Sequence, residues 1–232
     1  KYEAYDLTTK MYFTPDITVE EMTVATERLA ALNDSMTKAN LNNLCGAYLL
    51  MSDERSKSGT EILEAVAGFP PELSETKIVT ELKNRGEAKQ KSEPGHHFID
   101  IVLPDKDGNE QSLSSAVRNN KYVLLDFWAS WCKPCMEEWP ELVALYNYYK
   151  DKGFTVFGVS VDSKKESWLN VLNHEELSWI QTSSLTGWKN NSVKDYCIGE
   201  VPTNFLIGAD GIILAKNLHG DQLRKKLEEL LQ

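Results

Sequence analysis

Residues 122–135 of the chain read YVLLDFWASWCKPC, and this stretch decides the fold. Tyr122–Trp128 is an apolar run with the length of a buried central strand, interrupted by a single charged residue, Asp126. The two cysteines follow directly, and residues 134–150 then have the periodicity of a helix. We therefore predict a strand-to-helix turn that carries the cysteine pair.

The start of a helix is a favourable place for a reactive thiol. Backbone N–H groups and the positive end of the helix dipole should stabilise a thiolate at Cys132, and Lys133 adds a nearby positive charge. Pro134 falls in the first helical turn, where its missing N–H costs little. Two intervening residues let both sulfurs meet, so that Cys135 can resolve a mixed disulfide formed by Cys132. The spacing predicts a redox-active disulfide and no other cofactor.

Two other interpretations of the cysteine pair are weaker. A zinc site needs two further Cys or His ligands at close spacing, but Cys45 and Cys197 each stand alone and the four histidines are not at ligand spacing. We therefore expect no metal. A purely structural disulfide would close too small a loop to constrain the unfolded chain much. Whether Cys45 and Cys197 pair with each other is left open.

Composition sets broad limits on function. The 232 residues include 25 basic and 35 acidic side chains, for a net charge of −10, which argues against a nucleic-acid partner. No apolar stretch is long enough to cross a membrane. The chain begins at Lys1 without an apolar signal segment, so we expect a processed mature protein or a trimmed form of one.

The first predicted region, residues 1–92, is mainly helical. Capping-box spacing occurs at Thr18 and again at Ser58, where the helix should end before Pro70. Another helix is expected over residues 75–89, and the polar stretch 85–95 is expected to be a linker. After the first capping box, one buried helix stripe is predicted from Met22, Ala25, Leu29, Leu32 and Met36.

The second predicted region, residues 93–232, alternates strands with helices. An opening hairpin turns at Asp107-Gly108. The expected strands cover residues 98–103, 122–128, 154–161, 178–181, 203–207 and 212–216, and the expected helices 134–150, 164–173 and 221–231. This order predicts an α/β fold with a central mixed sheet flanked by helices.

The second region resembles the thioredoxin-fold thiol–disulfide oxidoreductases, in particular the TlpA/ResA-like branch used outside the cytoplasm by bacteria. The resemblance rests on WCKPC at residues 131–135, GVSVD at residues 158–162 and YCIGEVPT at residues 196–203. With its N-terminal helical extension, the chain is also similar to the AhpC/TSA-type oxidoreductases of Bacteroidetes. A thioredoxin-like fold is the implied architecture.

The resemblance also implies roles for individual residues. Pro202 matches the cis-proline that faces the active-site disulfide, and Val201 the residue whose backbone contacts a bound substrate strand. Asp126 matches the buried acid below the cysteines, where a raised pKa suits it to accept the proton of Cys135. Trp131 is expected to be a partly exposed lid over Cys132, whereas Trp128 should be packed.

Glu138 has two interpretations. It lies one helical turn after Cys135, at the position where the ResA-like branch carries an active-site glutamate. It is equally explained as a solvated carboxylate in the first turns of the helix. Pro140 matches the helix-kinking proline of the family.

The expected activity is reduction of protein disulfides outside the cytoplasm, with Cys132 attacking and Cys135 resolving. A disulfide oxidase or isomerase is the alternative, since small changes around the cysteines reverse the direction, although the Lys-Pro dipeptide is more typical of reductases. A peroxidase is disfavoured because its Pro-x-x-x-Thr/Ser-x-x-Cys signature is missing, with Leu125 and Ala129 in its place. A non-enzymatic binding module is disfavoured by the intact cysteine pair.

The resemblance further implies where the protein works and with what. Protein disulfides would be the substrates, and a membrane thiol-reducing partner would supply electrons. The location would be the periplasm, either free or anchored to the membrane. The sequence does not fix the oligomeric state.

Overall fold

Two compact units, Lys1–Gln90 and Lys91–Gln232, make up the chain. The computed structural model describes residues 18–54, 56–174 and 177–231, so residues 1–17 of the predicted helical region lie outside it. Within these ranges, no helix combines the length and the apolar character needed to cross a membrane.

The first unit is helical, as predicted. Its helices are α1 (Val19–Ala39), α2 (Leu44–Asp53), α3 (Gly59–Ala67), α4 (Pro71–Ser74) and α5 (Lys77–Gln90). Both predicted capping boxes are confirmed: the Thr18 hydroxyl accepts the Glu21 N–H at the start of α1, and the Ser58 hydroxyl accepts the Glu61 N–H at the start of α3. The core consists of Ala47, Leu50, Phe69, Val79 and Leu82.

The predicted buried stripe on α1 is wrong at its outer end. Met22 is exposed and Ala25 is the one buried member, while the other three are half-buried. The core of this unit forms between α2, α5 and the segment that follows α3, and it contains no α1 side chain among the described residues. The sequence pattern thus predicted the helix correctly, but it overestimated how deeply the side chains of α1 are buried.

The predicted linker over residues 85–95 is wrong in its first half, because α5 continues through it. Arg85 Nε pairs with Glu81 at 2.8 Å, one turn earlier on the same helix. Gly86 lies where α5 meets α3, and a Cβ atom on it would be only 3.0 Å from Ile62 Cγ2. Packing of a small residue against a neighbouring helix thus stabilises a segment whose own sequence looks irregular.

The second unit is built on a five-stranded mixed sheet with the order β5-β4-β3-β6-β7. A separate hairpin, β1 (Val102–Pro104) and β2 (Glu110–Ser112), precedes it. The sheet strands are β3 (Tyr122–Trp128), β4 (Phe154–Ser160), β5 (Ile180–Ser183), β6 (Thr203–Gly208) and β7 (Ile213–Lys216). Strand β4 is parallel to β3 and β5, whereas β6 is antiparallel to β3 and β7. This is the thioredoxin-like sheet that the resemblance implied.

In the described part of this unit, the α-helices beside the sheet are α6 (Leu113–Asn119), α7 (Lys133–Tyr149), α8 (Lys165–His174), α9 (Asn191–Asp195) and α10 (Asp221–Leu230). The short α6 and α9 were not predicted. The strand predicted over residues 98–103 is wrong except at its end, since only Val102 and Leu103 lie in β1. Instead, the Phe98 N–H donates to the Gly211 carbonyl, and the Ile99 N–H donates to the Tyr196 hydroxyl. These bonds hold the segment in place without making it part of a β-strand.

Candidate active site

The cysteine pair lies on the predicted strand-to-helix turn. Cys132 is the N-cap residue of α7, and its sulfur accepts a hydrogen bond from the Cys135 N–H at 3.2 Å. The two cysteines are joined in a disulfide, with 4% of Cys132 and 2% of Cys135 exposed. After reduction, the same Cys135 N–H would stabilise the thiolate form of Cys132.

Asp162 holds the loop before Cys132 in place. Its buried carboxylate accepts hydrogen bonds from the Ser130 N–H at 2.9 Å, the Ser130 hydroxyl at 2.7 Å and the Ser160 hydroxyl at 2.7 Å. Trp128 and Ser160 are register partners, so the ends of the parallel strands β3 and β4 meet at this point. In the sequence, Asp162 is visible only as part of a motif shared with the family, because its contacts depend on the register of β3 and β4.

Asp126 is buried and lines a small cavity together with Cys135. Asp126, Cys135, Glu138, Pro202 and His219 are among the residues that line this space of about 20 Å³, which has room for a single water molecule. Burial, followed by the charge of Glu138, raises the pKa of Asp126 to about 7, and the charge of His219 opposes that rise. Asp126 therefore changes its protonation state near neutral pH, as a proton acceptor for Cys135 requires.

Glu138 is bound to a residue that the sequence analysis left unassigned. The Nδ1–H of His219 donates to Glu138 Oε2 at 2.9 Å, and this bond raises the pKa of His219. Glu138 also lines the cavity beside Asp126, so it is more than a solvated helix carboxylate. The two partners are 81 positions apart, and no local spacing signal could have paired them.

The substrate-facing residues implied by the resemblance occupy the adjoining loop. The Val201–Pro202 bond is cis, as expected from the family match, and Pro202 lines the cavity together with Cys135. Val201 is half-buried and packs against the core. The structure thus brings Pro202 to the cysteine pair, while the role of Val201 in binding substrate stays a prediction.

An exposed aromatic pair lies next to the cysteines. Trp131 is 58% exposed and Trp188 is 43% exposed, with ring centroids 6.2 Å apart. Trp128 is buried, as predicted, and its Nε1–H donates to Gln181 at 2.8 Å. The sequence analysis treated Trp188 as a core or rim aromatic, because nothing in its neighbourhood connects it to residue 131.

The structure also gives the surroundings of Lys133 and of the two cysteines outside the pair, Cys45 and Cys197. Lys133 pairs with Glu137 at 3.4 Å and is largely exposed, so its effect on the cysteines is screened. Cys45 is exposed on α2, and the Cys197 thiol donates to the Lys194 carbonyl at 3.5 Å. Among the residues that the structure describes, no group of three or more His, Cys, Asp or Glu side chains could hold a metal ion.

Comparison with known sequences finds matches over the second unit. The profile of the AhpC/TSA family matches residues 94–216. Thiol-disulfide oxidoreductase ResA of Bacillus cereus is 32% identical over 144 residues, which are 62% of this chain and 80% of that protein. ResA of Geobacillus kaustophilus is 32% identical over 133 residues, 57% of this chain and 73% of that protein.

Comparison with solved structures finds the same kind of protein. The thioredoxin domain of a thiol-disulfide oxidoreductase from Bacteroides vulgatus matches with a TM-score of 0.56 and 35% identity, over 60% of this chain and 98% of that one. A thiol-disulfide oxidoreductase from Bacteroides fragilis matches with a TM-score of 0.55 and 39% identity, over 58% of this chain and 99% of that one.

The raised pKa of Asp126 predicts a pH-dependent effect of Asp126→Asn on stability. Between about pH 4 and about pH 7 the folded state binds more protons at Asp126 than the unfolded state does, so folding stability falls as pH rises through this window. Above it, the buried charge costs about 4 kcal/mol. Urea unfolding at about pH 8 should show the variant to be more stable by up to that amount, and the gain should shrink towards pH 4. Exposed Asp151→Asn is the control, and equal gains at both pH values would contradict the assignment.

The contacts of Asp162 predict that Asp162→Asn disturbs the cysteine loop. The amide replaces one acceptor oxygen by a donor that faces other donors, which should lower the free energy of unfolding by about 1 to 3 kcal/mol. Attack by reduced Cys132 on a small disulfide should also slow. Asp195→Asn, at an exposed position of α9, should change neither quantity. Unchanged stability and attack rate in Asp162→Asn would show that this carboxylate does not hold the loop.

Proposed function

The chain belongs to the AhpC/TSA family and is a thiol–disulfide oxidoreductase, and on that premise we propose that it reduces protein disulfides outside the cytoplasm. Cys132 attacks the substrate disulfide, and Cys135 resolves the mixed disulfide that forms. The observation that carries this proposal is the buried Asp126, which lines the same small cavity as Cys135, because the buried resolving thiol has to lose its proton there.

The charges around the cysteines favour the reducing direction. Strong oxidants of this fold are oxidising because their reduced form is stabilised. Here the carboxylates of Asp126 and Glu138 line the cavity next to Cys135, and negative charges disfavour a thiolate nearby. Lys133, the one cation between the cysteines, is exposed and paired with Glu137. The reduced form therefore lacks the surplus positive charge that would make the pair oxidising.

The protein surface beside the cysteines suits a protein substrate. Trp131 and Trp188 expose large apolar rings, and such rings contribute strongly to binding at protein interfaces. Val201 and Pro202 supply an adjoining loop, where the substrate strand would bind. We propose that protein disulfides are taken up between these two features.

The redox potential tests the direction. We expect the Cys132–Cys135 pair, equilibrated with dithiothreitol or glutathione buffers, to have a potential near about −250 mV or below. The reduced protein should also reduce insulin disulfides, with Cys132→Ser as the inactive control. A potential near about −120 mV would refute the reductase proposal and favour an oxidase.

Each turnover consumes two electrons, and we propose that a membrane thiol-reducing partner restores them. The Cys135→Ser variant retains the attacking cysteine and lacks the resolving one, so it should trap its partners as mixed disulfides in cells of the source organism. We expect mass spectrometry to identify extracytoplasmic proteins and a membrane protein with a dithiol, none of which Cys132→Ser should trap. Capture of cytoplasmic proteins alone would refute the proposed location and partner.

A further inference from the structure

His219 is held in a fixed place relative to the cavity below the cysteines. The residue before it, Leu218, is clamped by Asn204, whose side-chain amide donates to the Leu218 carbonyl at 2.8 Å and accepts the Leu218 N–H at 2.9 Å. Asn204 is in turn the register partner of Asp126 across β6 and β3. Two hydrogen bonds and one strand pairing thus fix the loop that carries His219 with respect to Asp126.

We propose that His219 is a positioning residue for the resolving half of the reaction: it pairs with the Glu138 carboxylate at the cavity and offsets its charge, so that Asp126 can accept the proton of Cys135. The inference rests on thiol–disulfide exchange at this pair and not on the direction of electron flow. In this proposal His219 acts through its 2.9 Å bond to Glu138.

The charges near His219 come from three elements. Asp126 belongs to β3, Glu138 and Glu141 belong to α7, and Asp221 and Arg224 belong to α10. Arg224 pairs with Glu141 at 2.7 Å and lies 3.7 Å from Asp221. The charge of Glu141 is therefore balanced by Arg224, and that of Glu138 by His219 once the imidazole is protonated.

The resolving step shows why this balance matters. The S–H bond of Cys135 breaks, its proton passes to the Asp126 carboxylate, and the Cys135 sulfur forms a bond to Cys132. The bond between Cys132 and the substrate sulfur breaks with its electron pair, and the substrate leaves as a thiolate that takes a proton from solvent. Asp126 then returns its proton to solvent; Glu138 and His219, which line the same cavity, are both partly exposed.

Removing the cation should hinder this step. Without His219, the Glu138 carboxylate faces Asp126 uncompensated, and a like charge favours the protonated acid. Asp126 would then be a carboxylate less often at neutral pH, and fewer molecules could accept the proton of Cys135. The attack by Cys132 precedes this transfer and should not change.

The test separates the two halves of the reaction. Reduced full-length protein carrying Cys45→Ser and Cys197→Ser, which removes the two thiols outside the pair, is mixed with one equivalent of dithiobis(nitrobenzoate). This reagent releases one coloured thiolate when Cys132 attacks and a second when Cys135 resolves. In His219→Gln we expect an unchanged first phase. The acid limb of the second phase should move up by about 0.5 to 1 pH unit, which corresponds to about threefold to tenfold slower resolution below neutral pH.

Three variants complete the test. His219→Arg supplies a permanent cation and should restore the second phase, while His174→Gln, at an exposed position on α8, should leave both phases unchanged. In a Glu138→Gln background, His219→Gln should have a smaller effect, because its partner is absent. The proposal fails if the second phase of His219→Gln keeps the parental pH profile, if both phases slow equally, if His219→Arg restores nothing, or if the full effect persists without Glu138. An oxidising redox potential would refute the proposed reductase direction, but the two phases could still be measured and would still test the role of His219.

Discussion

A carboxylate in the central strand is the constraint on which the rest of the site depends. Asp126 occupies a position where an apolar residue would pack with less cost, because burial disfavours its charged form. The surrounding residues limit that cost without removing it: the cavity admits about one water molecule, and His219 partly offsets the repulsion from Glu138. The protein therefore keeps an acid that is ready to change its protonation state.

The sheet places a second buried acid on the other side of the cysteine loop. Asp126 lies within β3 and Asp162 directly after β4, and the two strands run parallel with Trp128 opposite Ser160. Asp162 accepts three hydrogen bonds from Ser130 and Ser160 and holds the loop in place, whereas Asp126 is the proposed acceptor of the Cys135 proton. The difference arises from their surroundings, since hydrogen-bond donors favour the carboxylate of Asp162, whereas burial and the charge of Glu138 disfavour that of Asp126.

The elements predicted correctly from the sequence are those that a short stretch of residues determines by itself. Tyr122–Trp128 was predicted with the correct bounds, because an apolar run followed by a helix start is a short-range signal. The helix expected over residues 75–89 is confirmed by α5, but residues 85–90 were also assigned to a linker, because the contact between α5 and α3 that stabilises them leaves no local signal. The pairing of His219 with Glu138 and the approach of Trp188 to Trp131 were missed for a related reason. Each joins residues far apart in sequence that only the sheet topology brings together.

The two hydrogen bonds between Asn204 and Leu218 have a consequence for protein engineering and for the evolution of this family. The motif at residues 131–135 can be copied into another scaffold as a short peptide, but these two bonds cannot, because they link β6 to the segment before α10. A graft of the cysteines alone would transfer a disulfide without its proton chemistry. We expect positions 126, 138, 204 and 219 to vary together among natural relatives, as one inherited unit spread over residues 126–219.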